Sequence, residues 1–250
     1  WYLGFRHPHP PLVPPQAYLD LYRDIEIDRP RMGGWVDDPG SLPFAISALY
    51  QRTSQYNAAQ VQAARRAFYA LCTQIDHQIR YLIGTLRMEG VLDNTVLCFM
   101  SDHGDMLGDH HTVVKRVFYQ KSANIPMILV PAKGDPRVAT GRVDDRIVGI
   151  QDVMPTLLDL CGIPVPDTVE GMSMVGERRR DWLYGECSDV DHPTRMVRVG
   201  RYILIYDGTG NASQLFDIDS DPHEMTDLAE DPAHAEALKR LQDILVSQLY

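Results

Sequence analysis

Apolar residues recur at steps of three and four between Val61 and Leu86, which is the clearest periodic signal in the sequence. This spacing predicts one long amphipathic helix with a single apolar stripe. Gly90 follows at the position where helices commonly end in a left-handed backbone conformation. A shorter helix is expected from about Pro15 to Tyr22, because proline is well tolerated in a first turn.

Apolar runs of strand length predict the strands of a first sheet. They lie at residues 1–5, 95–100, 126–130 and 146–150. A run that is polar on neither face is typical of a strand that is covered on both sides. A long helix that leads into such a strand indicates an α/β domain. The last run leads to a predicted helix at about residues 152–160, with Asp152 as its N-cap.

The pattern changes at about residue 166, where short apolar runs alternate with turn residues. These runs lie at residues 182–187, 195–199, 202–206 and 214–217, and they predict a small antiparallel sheet. A leucine stripe between Leu238 and Leu249 predicts a closing amphipathic helix. We therefore expect an α/β domain over residues 1–165 and a small C-terminal subdomain over residues 166–250.

Two segments are expected to be irregular. Residues 25–42 mix charges with Gly and Pro and predict a long loop, of the kind that often carries function. Residues 217–231, called the acidic run below, are rich in Asp and Glu and contain no Lys or Arg. Such a run is most simply a solvated turn.

Composition and charge narrow the classes of function. The 250 residues are 44% hydrophobic and 23% charged, which is ordinary for a folded domain and excludes a disordered or coiled-coil chain. With 24 Lys and Arg against 34 Asp and Glu, the net charge is −10, and the scattered basic residues argue against nucleic-acid binding. No apolar run approaches the roughly 20 residues that span a bilayer, so no membrane partner is expected.

Polar side chains gather where the run at residues 95–100 ends. Asp102 and His103 are adjacent there, and the carboxyl ends of strands are where α/β sheets bind ligands. A carboxylate beside an imidazole suits a divalent cation. Glycines in the following loop permit a tight backbone, and Lys115 follows as a fixed cation. A metal and a lysine together can hold a tetrahedral oxyanion, so the sequence predicts a site for a small anionic ester.

Three stretches of the chain resemble a known family. Residues 94–130, NTVLCFMSDHGDMLGDHHTVVKRVFYQKSANIPMILV, resemble the second signature of the type I sulfatases, which belong to the alkaline phosphatase-like superfamily with the phosphonate monoester hydrolases. Residues 5–11 resemble the family's Pro-His-x-Pro loop, and residues 151–162 resemble its Asp-x-x-Pro-Thr-x-Leu helix. The resemblance implies the second half of an alkaline phosphatase-like sheet sandwiched by helices, followed by a small antiparallel α+β subdomain.

The resemblance also implies roles for individual residues. Asp102 and His103 would be ligands of one divalent metal, which could be calcium, magnesium or manganese. Lys115 would contact the sulfate or phosphonate oxygens. His9 would contact the ester and help to protonate the leaving oxygen, since an imidazole can be cationic near neutral pH.

Two neighbouring histidines, His110 and His111, are weaker candidates. One of them is expected to line the pocket behind the metal ligands, and the other to lie in solvent. His103 itself is a variant, because many family members carry Asn at this position. The imidazole favours manganese over calcium, and the resemblance associates it with the phosphonate monoester hydrolase branch and with part of the bacterial arylsulfatase-like group.

The family's nucleophile has no match in this chain. It is a Cys or Ser in Cys/Ser-x-Pro/Ala-x-Arg that is converted to formylglycine, and none of the four cysteines is followed by the required Arg. Residues 41–45 have the proline but lack the arginine. We expect the nucleophile in an N-terminal part that is absent here, and we expect the 250 residues alone to be inactive.

The resemblance thus predicts part of a metal-dependent hydrolase of sulfate monoesters. The alternatives are a phosphonate monoester or phosphodiester hydrolase of the same superfamily, or a remnant that keeps the fold without the chemistry. The compartment stays open between cytoplasm and periplasm, and the oligomeric state stays open as well.

Overall fold

A computed structural model describes residues 1–37, 55–189, 192–208 and 212–249. The segment 41–45 and the last part of the expected loop at 25–42 therefore lie outside the described residues. The helices and strands are α1 (Gln16–Asp20), α2 (Ala58–Met88), β1 (Leu97–Met100), α3 (Gln120–Ala123), β2 (Met127–Val130), α4 (Val153–Leu160), β3 (Leu183–Asp189), β4 (His192–Val199), β5 (Tyr202–Asp207), β6 (Ala212–Asp217) and α5 (Ala235–Leu249). Within the described ranges, no helix is both long and apolar enough to cross a bilayer.

Helix α2 confirms the long helix predicted from the apolar stripe. It begins with a capping box, in which the Asn57 side chain accepts the backbone N–H of Gln60 and the Gln60 side chain accepts that of Asn57. After its end, Gly90 has a φ of +70°. The N–H of Val91 then donates to the carbonyl of Leu86, which completes a glycine-dependent helix stop.

Strands β1 and β2 confirm two of the predicted strands. They pair antiparallel in a two-stranded sheet, with Leu97 opposite Val130 and Met100 opposite Met127. Phe99 in β1 keeps 39% of its surface exposed. Within the described residues, the face of this strand that carries Phe99 is therefore not fully covered, contrary to the prediction.

The strands predicted at residues 1–5 and 146–150 are wrong. Neither segment has strand conformation, and the Trp1 and Tyr2 side chains are exposed. Apolar residues form a strand only where a neighbouring strand takes up their backbone hydrogen bonds. The segment at 146–150 is held instead by Arg146, whose guanidinium pairs with Asp144 and donates to the carbonyl of Met174 at 2.9 Å.

Asp152 occupies the predicted N-cap position of helix α4, but its side chain makes no capping hydrogen bond to that helix. It ends a preceding 3-10 turn, and its buried carboxylate accepts the N–H groups of Gly149 and Met172, each at 2.8 Å. Arg180 adds a bidentate ion pair at 2.6 and 2.8 Å. Burial raises the pKa of Asp152, but the bonds from Arg180, Met172 and Gly149 outweigh it and hold the pKa below its ordinary value. The carboxylate therefore ties α4 to the segment at residues 172–180.

The C-terminal part confirms the predicted antiparallel sheet and closing helix. Strands β3, β4, β5 and β6 lie side by side in chain order, and each pairs antiparallel with the next. Leu241 and Leu245 of α5 pack on one face of the sheet against Val197, Leu204 and Leu215. The domain boundary near residue 165 stays a prediction.

The other face of this sheet is joined to residues from earlier in the chain. Trp35 and Tyr119 stack with their ring centroids 5.2 Å apart, and Phe216 of β6 lies 5.9 Å from each. Met106 belongs to the same buried cluster. Because Met106 lies in the segment after β1, this aromatic core fixes that segment against the C-terminal sheet.

Candidate active site

Residues 101–116, called the strand-end loop below, leave β1 and carry most of the predicted site residues. The loop is conformationally unusual, since Leu107, His110, His111 and Arg116 all have positive φ, between +47° and +80°. Non-glycine residues rarely adopt this region, and each costs about 1–3 kcal/mol when strained. Such a loop persists only where the surrounding contacts hold it.

Lys115 and His9 are in direct contact. The Nζ atom of Lys115 lies 2.6 Å from Nε2 of His9, and Nδ1 of His9 lies 2.8 Å from the carbonyl oxygen of Pro10. A carbonyl can only accept, so Nδ1 carries a hydrogen and Nε2 accepts from the Lys115 ammonium. The two predicted substrate-contacting residues thus form one unit with a proton between them.

Asp102 and His103 lie beside this unit. Nε2 of His103 is 3.4 Å from Oδ2 of Asp102, and the His103 and His9 rings have their centroids 6.1 Å apart. Nδ1 of His103 donates to the carbonyl of Gly104 at 2.7 Å. With the hydrogen on Nδ1, the Nε2 lone pair is available for a metal, which is the usual arrangement for a histidine ligand. The structure therefore brings Asp102, His103, His9 and Lys115 together.

The donor set fits part of a metal site. Asp102 offers an oxygen on a side chain that is 83% exposed, and His103 offers a nitrogen that its backbone partner has oriented. Among the described residues, no group of three or more His, Cys, Asp or Glu side chains could hold a metal ion. Hard divalent cations take about six ligands, so these two residues would supply a share of them.

Asp105 is a neighbour of the site that the sequence did not single out. Burial raises the pKa of Asp105. The hydrogen bond from the N–H of Leu107 and the electrostatic effects of Lys115, His103 and His9 act to lower it, but burial has the larger effect. The Asp105 carboxylate therefore lies near Lys115, His103 and His9. Its only signal in the sequence is its place in the same loop.

Arg65 of helix α2 holds the strained part of the loop. Its side chain is buried and donates from Nη1 to the carbonyl of Leu107 at 2.9 Å and to Asp109 at 3.1 Å. Nη2 pairs with Asp28, so one guanidinium joins three segments. Arg65 was not among the predicted site residues. It lies four residues after Val61, on the apolar side of α2, and a charged residue at such a position indicates that it has a buried partner.

His110 lies in the core rather than beside the predicted metal ligands. Its Nδ1 accepts the N–H of Gly33 at 3.1 Å, and its Nε2 donates to the carbonyl of His223 at 3.1 Å. Its ring centroid is 4.8 Å from that of Trp35. Burial lowers its pKa, so the ring is held neutral as a packing residue. His111 is half-buried next to it.

The acidic run is only in part the solvated turn that its composition predicted, because Glu230 is exposed but two of its carboxylates are buried. Asp217 and Glu224 are each 2% exposed. Charged residues are buried only where partners satisfy them, and composition does not show such partners. Asp217 pairs with Arg201, and both carboxylate oxygens of Glu224 accept the backbone N–H of Gln120.

Comparison with known families shows which proteins this chain is related to. The sequence model described as Sulfatase matches residues 1–163, which is more than half of the chain. The chain belongs to the sulfatase family. A second model, described as N-sulphoglucosamine sulphohydrolase, C-terminal, matches residues 108–249. The two matches overlap over residues 108–163, which include the last part of the strand-end loop, and the four candidate site residues His9, Asp102, His103 and Lys115 all lie within the first match.

Individual sulfatases agree with the family match. An arylsulfatase of Clostridium perfringens is 33% identical over 255 residues, which covers 99% of this chain and 52% of that protein. A choline-sulfatase of Rhizobium meliloti is 33% identical over 242 residues, covering 92% of this chain and 46% of that protein. The resemblance read from the motifs is thereby confirmed.

A solved structure extends the comparison to the fold. The phosphonate monoester hydrolase of Silicibacter pomeroyi is 25% identical and superposes with a TM-score of 0.81, over 96% of this chain and 54% of its own. Together with the sulfatase match, this similarity confirms the α/β, alkaline phosphatase-like fold class. The chain spans about half the length of the relatives it matches.

Proposed function

We propose that this chain supplies one half of the active site of a metal-dependent hydrolase of sulfate monoesters. The observation that carries the proposal is the contact between Lys115 and His9, 2.6 Å long, beside the Asp102 and His103 pair. The names of the relatives, arylsulfatase and choline-sulfatase, support a sulfate ester as substrate.

The geometry supports the role that the family resemblance implies for each residue. Asp102 and His103 would hold one divalent metal, which when bound supplies Lewis-acid stabilisation of negative charge on the ester. The Lys115 ammonium balances charge on the ester oxygens, since a fixed cation in a preorganised site stabilises an oxyanion. His9 and Lys115 share a proton, and this unit can deliver it to the leaving oxygen. The formylglycine nucleophile would come from sequence outside these residues.

The test uses the complete natural protein and an aryl sulfate. Lys115→Ala and Asp102→Ala should each lower kcat/KM by at least about a hundredfold, because each removes charge stabilisation at the reacting group. The exposed Lys239 provides the matched control, and Lys239→Ala should keep wild-type activity. Retention of activity by either Lys115→Ala or Asp102→Ala would contradict the proposal.

A second candidate is hydrolysis of phosphonate monoesters. It is favoured by the 25% identity and TM-score of 0.81 to the Silicibacter pomeroyi enzyme, and by His103 in place of the more common Asn. Sulfur and phosphorus oxyanions place similar demands on a metal and a lysine. Measuring kcat/KM on matched aryl sulfate and aryl phosphonate esters separates the two, since the preferred ester identifies the activity.

A further inference from the structure

Glu224 is a fully buried carboxyl group that lies far in sequence from Asp102 and His103, the proposed metal ligands. It is 2% exposed and has a φ of +55°. Its backbone carbonyl accepts the indole N–H of Trp35 at 2.8 Å. Its side-chain oxygens lie 2.9 and 3.1 Å from the backbone nitrogen of Gln120, the first residue of α3. The side chain is therefore committed to the start of that short helix.

Helix α3 in turn touches the strand-end loop through its backbone. The N–H of Gly104 donates to the carbonyl of Ser122 at 2.8 Å, and the carbonyl of Gly104 accepts from Nδ1 of His103. A Cβ atom on Gly104 would lie 2.0 Å from the carbonyl oxygen of Lys121. No side chain fits between the two backbones, so a displacement of α3 displaces the peptide that orients the His103 ring.

We propose that Glu224 is a positioning residue for His103, acting through Gln120, Ser122 and Gly104. The proposal rests on the proposed function, in which His103 binds the metal. Glu224 fixes the start of α3 against the C-terminal sheet, α3 fixes Gly104, and the Gly104 carbonyl fixes the imidazole. A carboxyl group of the acidic run thereby controls the affinity of a site that it does not touch.

The charge state of Glu224 fits this role. Burial, together with the nearby charges of Asp221 and Asp109, raises its pKa to about 8, although the N–H of Gln120 acts to lower it. Tyr119 also faces it, and its own raised pKa keeps that hydroxyl neutral. Glu224 is therefore mostly uncharged at neutral pH. A glutamine has the same shape and the same acceptor oxygen, so Glu224→Gln preserves the contact.

The test measures Mn²⁺ affinity of the complete natural protein by isothermal titration calorimetry. Glu224→Ala should weaken Mn²⁺ binding about tenfold, the size seen when a partner that orients a ligand is lost. Glu224→Gln should stay within about twofold of the wild type, on the same grounds. Glu230 is an exposed carboxylate of the same acidic run, and Glu230→Ala should leave the affinity unchanged.

Gln120→Pro cuts the same link from the other side without emptying the core. Proline is favoured at the first position of a helix. Tyr119 has φ −64° and ψ 152°, which is the conformation preferred before proline. The variant loses the Gln120 side chain and the N–H that donates to Glu224, and its ring Cδ takes the place of that hydrogen, so the Glu224 carboxyl group must turn away from the start of α3. Its Mn²⁺ affinity should fall as in Glu224→Ala, and the double variant should be no weaker than either single one.

The outcomes separate the two proposals. Wild-type Mn²⁺ affinity in both Glu224→Ala and Gln120→Pro, while Asp102→Ala loses binding, would overturn the positioning role and leave the proposed function standing. Unchanged Mn²⁺ binding in Asp102→Ala would overturn the proposed function itself. Equal losses in Glu224→Ala and Glu224→Gln would also overturn the positioning role, because the glutamine keeps the acceptor.

Discussion

Lys115 and His9 lie 106 positions apart in the chain, and their Nζ and Nε2 atoms are 2.6 Å apart in the structure. The proline-rich loop near the N-terminus is thus closed onto the strand-end loop by one hydrogen bond. Since Nδ1 of His9 is committed to the Pro10 carbonyl, the pair has one donor direction, from lysine to histidine. This relationship makes the two residues a single hydrogen-bonded unit.

The first prediction concerns the energetics of that unit. In the complete protein, His9→Ala and Lys115→Ala should each lower kcat/KM by about 10²–10³-fold on an aryl sulfate. The double variant should lose little more than the worse single variant, because residues that act together are not additive. His77 is an exposed histidine on α2, and His77→Ala should keep full activity. Multiplicative losses in the double variant would show independent roles.

The second prediction concerns the close contact of Gly104 with α3. Gly104→Ala places a Cβ 2.0 Å from the backbone oxygen of Lys121 and should destabilise the protein by about 1–3 kcal/mol. Gly84, inside α2, has open space around it, and Gly84→Ala should stabilise by about 0.5–1 kcal/mol. Urea unfolding of both variants measures whether the free energy of unfolding falls in Gly104→Ala and rises in Gly84→Ala. A neutral Gly104→Ala would show that the loop and α3 can separate freely.

The third prediction concerns the buried guanidinium of α2. Arg65→Met removes the donor of the Leu107 carbonyl and leaves the buried Asp109 carboxylate without its charged partner, and it should destabilise the protein by about 3–5 kcal/mol. Arg80 is exposed on the same helix, and Arg80→Met should change stability by less than about 0.5 kcal/mol. Urea unfolding measures both changes, since a shift of the midpoint at an unchanged m-value reports a change in the free energy of unfolding. A loss of stability below about 1 kcal/mol in Arg65→Met would mean that the strand-end loop keeps its shape without the hydrogen bonds from Arg65.

The fourth prediction is a pH dependence that belongs to Glu224. Burial raises its pKa from 4.5 to about 8, so between these values the folded protein keeps a proton that the unfolded chain has lost. Stability from this group therefore falls as pH rises through that window, by up to about 1.4 kcal/mol per pH unit. Glu224→Gln lacks this loss, so its stability relative to the wild type should increase from pH 5 to pH 8.

Urea unfolding of both proteins at several pH values measures this trend. Taking the difference between the two proteins cancels the carboxylates whose pKa is shifted elsewhere, among them Asp105 and Asp152. The exposed Glu230 gives the control, since Glu230→Gln should run parallel to the wild type. A constant difference between Glu224→Gln and the wild type would contradict the buried, protonated state.

The parts of the fold that local periodicity determines were predictable. The apolar stripe of α2, the short apolar runs of β4 and β5 and the leucines of α5 each specify an element by near neighbours in sequence. The segments at 1–5 and 146–150 are equally apolar, and they form no strand because a strand depends on a partner. Apolarity alone does not identify that partner.

The residues of the candidate site also fall into those that could be predicted from the sequence and those that could not. Asp102 and His103 were predictable because they follow a strand directly, and Lys115 because it lies in the same loop. Arg65 and Glu224 were not predictable, because their partners are distant in sequence. The Asp109 that Arg65 binds is 44 residues away, and the Gln120 that Glu224 binds is 104 residues away. A buried charge is recognisable only once both partners are known.

The buried contact of Glu224 with Gln120 has a consequence for the order of synthesis. A ribosome completes the strand-end loop and α3 long before it reaches the acidic run, and contacts between distant segments form late in folding. A nascent chain released after β6 would already contain Asp102, His103, Lys115 and His9. We expect proteases to cut its strand-end loop faster than that of the finished chain. During synthesis the candidate site residues are therefore present before Glu224, the residue that we propose positions His103.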